Sequence, residues 1–222
     1  MKPSVSLREH EIEPIPGLPE KLPAGEGILW QGSPRWWPLA RRAFHLRGLA
    51  IYFVLLLLWQ VGDALNSGAS LVQAMAGAWM AFALGPICIA VLAFIGRLSA
   101  RSALYTITNR RIVMRVGVAL PMTINIPFSQ VDSAAVRRHA DGTEDVVLTL
   151  AKGQRLAWLA LWPHARPWRI TRPEPMLRAI PVEAGAAQVL SRALAASAGQ
   201  AVGAAEASPP RRPARFPEGA VA

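Results

Sequence analysis

The sequence predicts an α+β membrane protein: a two-helix transmembrane hairpin carrying a small cytoplasmic sheet or barrel, with one helix at the C-terminal end. Three observations predict it. Two long apolar runs lie close together, about Leu46–Leu65 and Leu71–Gly96. Arginine flanks the pair on both outer sides and is absent between them. After the second run the pattern changes to short, β-branched segments separated by turn residues, and then to one amphipathic stretch. The bulk composition agrees. Hydrophobic residues make up 52% and charged residues 17% of the 222, against about 25% charged in ordinary soluble domains.

Residues 1–24 read as an extended arm, because Pro14, Pro16, Pro19 and Pro23 deny it a helix. The N-terminus lacks the apolar core of a secretory signal, so the first span is expected to direct insertion. Ile28–Gln31 reads as a short strand, closed by the turn signal Gly32-Ser33-Pro34. Residues 25–45 thus hold a first strand and an interfacial connector rich in tryptophan and arginine. Trp36, Trp37, Arg41 and Arg42 suit the headgroup level, where indole rings settle and arginine accumulates on the cytoplasmic side. Their simplest role is anchoring, and a partner- or lipid-binding surface is the alternative.

Residues 46–96 form the hairpin. About 20 apolar residues cross a bilayer of about 30 Å. Arg35, Arg41, Arg42 and Arg47 precede the first span, and Arg97, Arg101, Arg110 and Arg111 follow the second. Both termini are therefore expected in the cytoplasm. Gly77, Ala81 and Gly85 recur at four-residue spacing and are the candidate helix-packing residues, since small side chains let backbones approach. Pro86 is a candidate kink.

Residues 97–198 form the cytoplasmic domain. Ala103–Thr108, Arg111–Val116, Met122–Ile126, Val131–Val136, Asp145–Leu150 and Arg155–Leu161 read as strands, with turns at Gly117, Asp141-Gly142 and Lys152-Gly153. Glu183–Ala198 reads as a helix with Val189, Leu190 and Leu194 on one face. Residues 199–222, rich in proline and alanine, read as a disordered tail.

The net charge of +10 is almost all arginine, with lysine only at positions 2, 21 and 152. Beside a bilayer such charge favours anionic lipid. The charges flank the spans and no nucleic-acid motif is present, so nucleic acid is not an expected partner. The single cysteine, Cys88, lies within an apolar run, which excludes an intrachain disulfide. No phosphate loop, nucleophile elbow or zinc-protease pair appears, so no enzyme and no cofactor is expected. His10, His45, His139 and His164 show no metal-ligand spacing. His45, near the start of the first span, is the one candidate pigment ligand, through the magnesium of a bacteriochlorophyll. Trp162, His164, Arg166, Trp168 and Arg169 form a second cluster of the residue types that anchor protein interfaces.

The stretch YTITNRRIVMRVG, followed by INIPFSQVDSAAV, resembles the signature of bacterial pleckstrin-homology-like membrane proteins. More narrowly, EPIPGLPEKLPAGEGILWQGSPRWWPLARRAFHLR and LALWPHARPWRITRPEPMLRAIP resemble the PuhB family of photosynthetic complex assembly proteins of purple bacteria. The resemblance spans most of residues 13–198. It implies a PH-like β-barrel with a C-terminal helix beside a transmembrane hairpin in the intracytoplasmic (inner) membrane. It also implies a non-enzymatic scaffold or chaperone role in assembling the reaction centre and core light-harvesting complex, with reaction-centre and core antenna polypeptides as partners. A lipid-binding module without a photosynthetic client is the other reading. The sequence leaves open which subunit is bound and whether the chain forms a homodimer.

Overall fold

The computed structural model describes residues 17–18, 20–151 and 157–207, with backbone alone at Ala160 and 201–207. Most of the N-terminal arm, the Lys152-Gly153 turn and the tail beyond Ala207 lie outside the described residues.

The segments on either side of the apolar hairpin come together in one sheet. Strands β1 (Ile28–Gly32), β2 (Leu104–Thr108), β3 (Arg111–Val116) and β4 (Met122–Pro127) pair antiparallel in that order. Trp30 sits opposite Ile107, and Gly32 opposite Tyr105. A second antiparallel sheet holds β5 (Val131–Arg138), β6 (Thr143–Leu150) and β7 (Met176–Pro181). The inner faces of both sheets share one core, with Tyr105, Ile107, Ile112 and Met114 from the first and Val146, Leu148, Leu177 and Ile180 from the second. Helix α6 (Ala186–Ala207) closes it with Ala186, Leu190 and Ala193. Each fully buried Leu or Ile contributes about 1.5–3 kcal/mol. The Trp30 indole donates to the Ala184 carbonyl at 2.9 Å, tying β1 to the turn before α6. This is an α+β fold with two sheets, two long apolar helices and a C-terminal helix.

Four long or short helices separate β1 from β2: α1 (Trp36–Ala43), α2 (Leu46–Asn66), α3 (Leu71–Gly77) and α4 (Trp79–Ser102). Helices α2 and α4 are long and apolar enough to cross a membrane. Their apolar side chains stand largely uncovered, Leu58, Trp59, Phe82 and Phe94 among them. A soluble protein would bury such a surface, and the chain is membrane-associated.

Several elements differ from the sequence expectation. The connector after β1 is a helix, α1, which buries Pro38, Leu39 and Ala40. The second apolar run is interrupted at Ala78, so its first turns form α3, started by a reciprocal Ser70–Gln73 cap. Gly77, a poor helix former, stands at that break. Helix α4 then continues through Pro86 to Ser102, beyond the expected end at Gly96. The described part of the expected strand Arg155–Leu161 is instead a helical turn, α5 (Trp158–Leu161), in which Trp162 N–H reaches Trp158 O at 3.0 Å. A short apolar run does not by itself distinguish strand from helix. Strand β7 has no counterpart in the sequence reading, because the charge of Arg178 interrupts an otherwise apolar run. Residues 199–207, expected in a disordered tail, continue α6. That helix starts only at Ala186, after Gly185 takes a left-handed φ of 66°. The buried Glu144 carboxylate accepts from Ala187 N–H at 3.3 Å near its start.

Candidate functional site

Helix α1 locks the two sheets to the long apolar helices. On one side Ala40 rests on Gly96 of α4, and a Cβ added at Gly96 would lie 2.6 Å from Ala40 Cβ. On the other side Leu39 packs with Ala100 and Ala179, and Arg35 N–H donates to Ala179 O at 2.9 Å. Ala179 takes φ 51° inside β7, a conformation that costs an alanine roughly 1–2 kcal/mol. Arginines complete the lock. Arg35 pairs with Glu183. Arg41 reaches Asp141 at 2.9 Å, and Arg42 donates to Thr143 Oγ1 at 2.7 Å and to Pro38 O at 3.3 Å. Burial by itself would raise the Asp141 carboxyl pKa. Hydrogen bonds from Thr143 and the charges of Arg42 and Arg41 outweigh it and hold it below the usual carboxylate value.

Beside this lock opens a groove of about 890 Å³. Arg41, Arg42, Arg47, Arg137, Arg166 and Arg178 line it, together with His45 and His139. Asp145 is the one acid among its lining residues, and its carboxylate is already engaged. It accepts from Ala179 N–H at 2.7 Å and lies 2.9 Å from His139 Nε2. Helix α1, the start of α2, strands β5, β6 and β7, and the loop between α5 and β7 converge here. His45 is the left-handed joint, at φ 53°, that turns α1 into α2. Trp168 stands at the rim with φ 64° and 91% exposure. An exposed, strained tryptophan is uncommon, and strain of this kind collects where it is used. Ile170 and Trp162 continue the exposed apolar rim, and Trp162 meets Phe44 edge-on at 5.1 Å, just ahead of α2.

The structure brings most of the sequence-selected residues to this junction. Arg41, Arg42, His45, Arg166 and Trp168 line the groove. Arg166 pairs with Glu174 at 2.7 Å, and Arg169 lies 3.9 Å from the same carboxylate. Trp36 and Trp37 stack edge-on at 5.4 Å on the outer side of α1, with the Arg97 guanidinium 5.3 Å from the Trp36 ring. Gly85 approaches α2, where an added Cβ would lie 3.0 Å from Phe53 Cγ, and Ala81 is buried. Gly77 has open space around it.

His164 is a correction. It was grouped with the surface cluster, but it is fully buried. Its Nδ1 is hydrogen-bonded to the Tyr105 hydroxyl at 2.6 Å, and that hydroxyl accepts from Arg178 N–H at 3.3 Å. Burial and the nearby Arg178 charge drive the imidazole pKa down to about 3, so it is neutral. Burial likewise pushes the Tyr105 hydroxyl up. This cluster supports Arg178, whose guanidinium donates to Pro163 O at 2.7 Å. Sequence reasoning missed Tyr105, Arg137, Asp145 and Arg178 as parts of the junction. The lone arginine in the apolar run MLRAIP was the available signal.

Residues 48–194 match the Bacterial PH domain family. The chain belongs to that family. It is also 34% identical over 192 residues to an uncharacterized 23.7 kDa protein in the puhA 5′ region of Rhodobacter capsulatus, covering 85% of this chain and 89% of the relative. No solved structure matches the chain significantly. The matched region takes in nearly all of α2 and the whole of α4 and runs into α6, while β1 lies ahead of it. Among the described residues no group of three or more His, Cys, Asp or Glu side chains is placed to hold a metal.

Proposed function

We propose that this bacterial PH domain protein is a membrane-anchored assembly factor of the PuhB type. On this reading it binds subunits of the photosynthetic reaction centre and core light-harvesting complex at the cytoplasmic membrane face and acts by binding, without catalysis. The observation that carries the reading is the exposed Trp–Arg rim, Trp162, Arg166, Trp168 and Arg169, mounted beside the start of α2 through the contact of Trp162 with Phe44. Tryptophan and arginine are the side chains that dominate binding hot spots. A rigid mount lowers the ordering cost of binding. The resemblance to PuhB supplies the photosynthetic client, and the relative's position in the puhA 5′ region supports it. The chain would cross the membrane twice through α2 and α4 with both ends cytoplasmic, since arginine flanks the pair on the outer sides alone.

The test is affinity purification of the full chain from membranes that are assembling photosynthetic complexes. Recovery of reaction-centre or core antenna polypeptides is expected, and Trp168→Ala or Arg169→Ala should each weaken it by about 1–2 kcal/mol. Recovery of no such polypeptide, or normal reaction-centre absorption in a strain lacking the gene, would refute the proposal.

A further inference from the structure

We propose that the free edge of strand β5 is a docking site for an extended, acidic segment of a partner protein, which adds to the three-stranded sheet as a further strand. The site uses none of the rim residues, and it stands whether or not the client is photosynthetic.

The backbone carries the first part. Strand β5 ends its sheet, with β6 on one side alone among the described residues. Asp132 through Arg138 are all exposed. Residues of an antiparallel ladder alternately point their N–H and C=O at the neighbouring strand and away from it. Two hydrogen bonds fix the phase. His139 N–H donates to Thr143 O at 2.8 Å, one step beyond the Arg138–Glu144 pair. Leu148, opposite Ala134, donates instead to Pro175 O at 2.9 Å, on the β7 side. Ser133, Ala135 and Arg137 therefore bond to β6, and the backbone groups of Ala134, Val136 and Arg138 point outward. Edges of this kind are usually blunted by proline, lysine or short length. Strand β5 has eight residues and neither proline nor lysine, and its one irregularity lies at the far end, between Val131 and Ser133. The other end strands differ. Strand β1 is tied to the turn before α6 by Trp30, β7 receives Arg35 N–H, and β4 follows Pro121 and ends in Pro127.

Side chains carry the second part. Ser133, Ala134 and Ala135 are small and leave room for the side chains of an added strand. Arg137 and Arg138 follow, one on each face of the sheet, because strand side chains alternate. The acids opposite them are already committed. Asp145, opposite Arg137, accepts from Ala179 N–H and lies beside His139. Glu144, opposite Arg138, is fully buried and 3.7 Å from it. Among the described residues Arg137 pairs with no other carboxylate, and it stands with Arg41, Arg42 and Arg47 around the groove. Two adjacent acidic residues on an added strand would meet Arg137 and Arg138, one on each face. A bilayer surface could meet those charges, but it offers no row of backbone donors and acceptors. Strand addition supplies both, with main-chain hydrogen bonds for affinity and alternate side chains for specificity.

The test titrates the full chain in detergent with a synthetic peptide of about ten residues, threonine with paired glutamates, in line with the length of a typical strand. Hydrogen exchange resolved to single amides should slow at Ala134, Val136 and Arg138 and stay unchanged at Ala135 and Arg137, which already bond to β6. Ala134→Pro removes one outward N–H and spares the ladder, as proline on an edge strand can, and should weaken binding about tenfold. Arg137→Ala with Arg138→Ala should weaken it about fivefold. In the unaltered chain, N-methylation of alternate peptide residues should abolish the slowing, which keeps the test open if Ala134→Pro fails to fold. Slowing without the alternation, or undiminished binding of the N-methylated peptide, would overturn the proposal. Equal binding of a peptide with lysine in place of glutamate would do the same. So would protection that needs no peptide and rises with protein concentration, which would assign the edge to a second copy. Binding seen only after Glu9, Glu11 and Glu13 are all changed to glutamine would assign it to the chain's own N-terminal residues and also overturn it.

Discussion

Replacing Gly96 by alanine adds one methyl group at the point where α1 meets α4. The new Cβ would lie 2.6 Å from Ala40 Cβ and 2.9 Å from Ala40 Cα. Carbon atoms in good contact stand about 3.5–4.0 Å apart, so α1 must withdraw by about 1 Å. Ala40 is fully buried and the nearer obstruction includes backbone, so no rotamer change relieves it. Overpacking of this kind costs about 1–3 kcal/mol. For a chain of this length each kcal/mol moves Tm by about 2–4 °C, which gives a fall of roughly 2–12 °C. The assay is thermal unfolding of the full chain in one detergent. Two other glycines calibrate it. Gly85→Ala would meet Phe53 at 3.0 Å, but that contact is a side chain that can swing, so its loss should be smaller. Gly77→Ala meets open space and should be neutral or stabilising by up to about 1 kcal/mol. Adding Ala40→Gly to Gly96→Ala should recover part of the loss despite the roughly 1 kcal/mol helix cost of the second glycine. An unchanged Tm for Gly96→Ala, or an order that places Gly85→Ala below it, would refute the claim that α1 is clamped against α4.

Tyr105→Phe removes the hydroxyl that bridges His164 Nδ1 and Arg178 N–H; two buried polar groups lose a partner, and chemical denaturation should show a loss of about 1–3 kcal/mol. His164 contributes a pH dependence. Its pKa is about 3 in the folded chain against 6.5 unexposed to the fold, so the unfolded chain binds the proton first. That stability is present above about pH 6.5 and is lost as pH falls towards 3, at up to about 1.4 kcal/mol per pH unit. His164→Asn should flatten the acid limb of a Tm-against-pH curve, and an unaltered limb would count against the buried neutral imidazole. At position 168 the left-handed φ favours glycine, so Trp168→Gly should be more stable than Trp168→Ala by about 1 kcal/mol in unfolding, while both weaken binding.

The two long apolar helices were legible because they rest on composition. Leu49–Val61 has no partner periodicity to misread, and the arginines on the outer sides of the two runs need no knowledge of the fold. Most strands of the first sheet were legible for a related reason: ALYTIT and RIVMRV carry β-branched residues at strand spacing. Ile28–Gln31 was legible as a strand, and β1 there pairs with β2. What stayed hidden depended on contacts between distant residues. Strand β7 carries Arg178, tolerable in a buried strand because its guanidinium donates to Pro163 O, while its backbone N–H donates to the Tyr105 hydroxyl. No local pattern announces that compensation. His164 looked like a surface residue beside Trp162 and Trp168, and only the fold aims it inward.

The sequence by itself determined that this protein has two long apolar helices flanked by arginine and a β-rich domain, since hydropathy and charge act residue by residue. The tertiary structure alone decided where those arginines meet. Arg41 and Arg42 come from a connector that the sequence marked as an anchor or a binding surface, Arg137 from β5, Arg166 from a loop and Arg178 from β7. They form one groove because α1 packs on Gly96 on one side and on Ala179 on the other, and close packing of that kind is a property of shapes in contact rather than of any segment read alone.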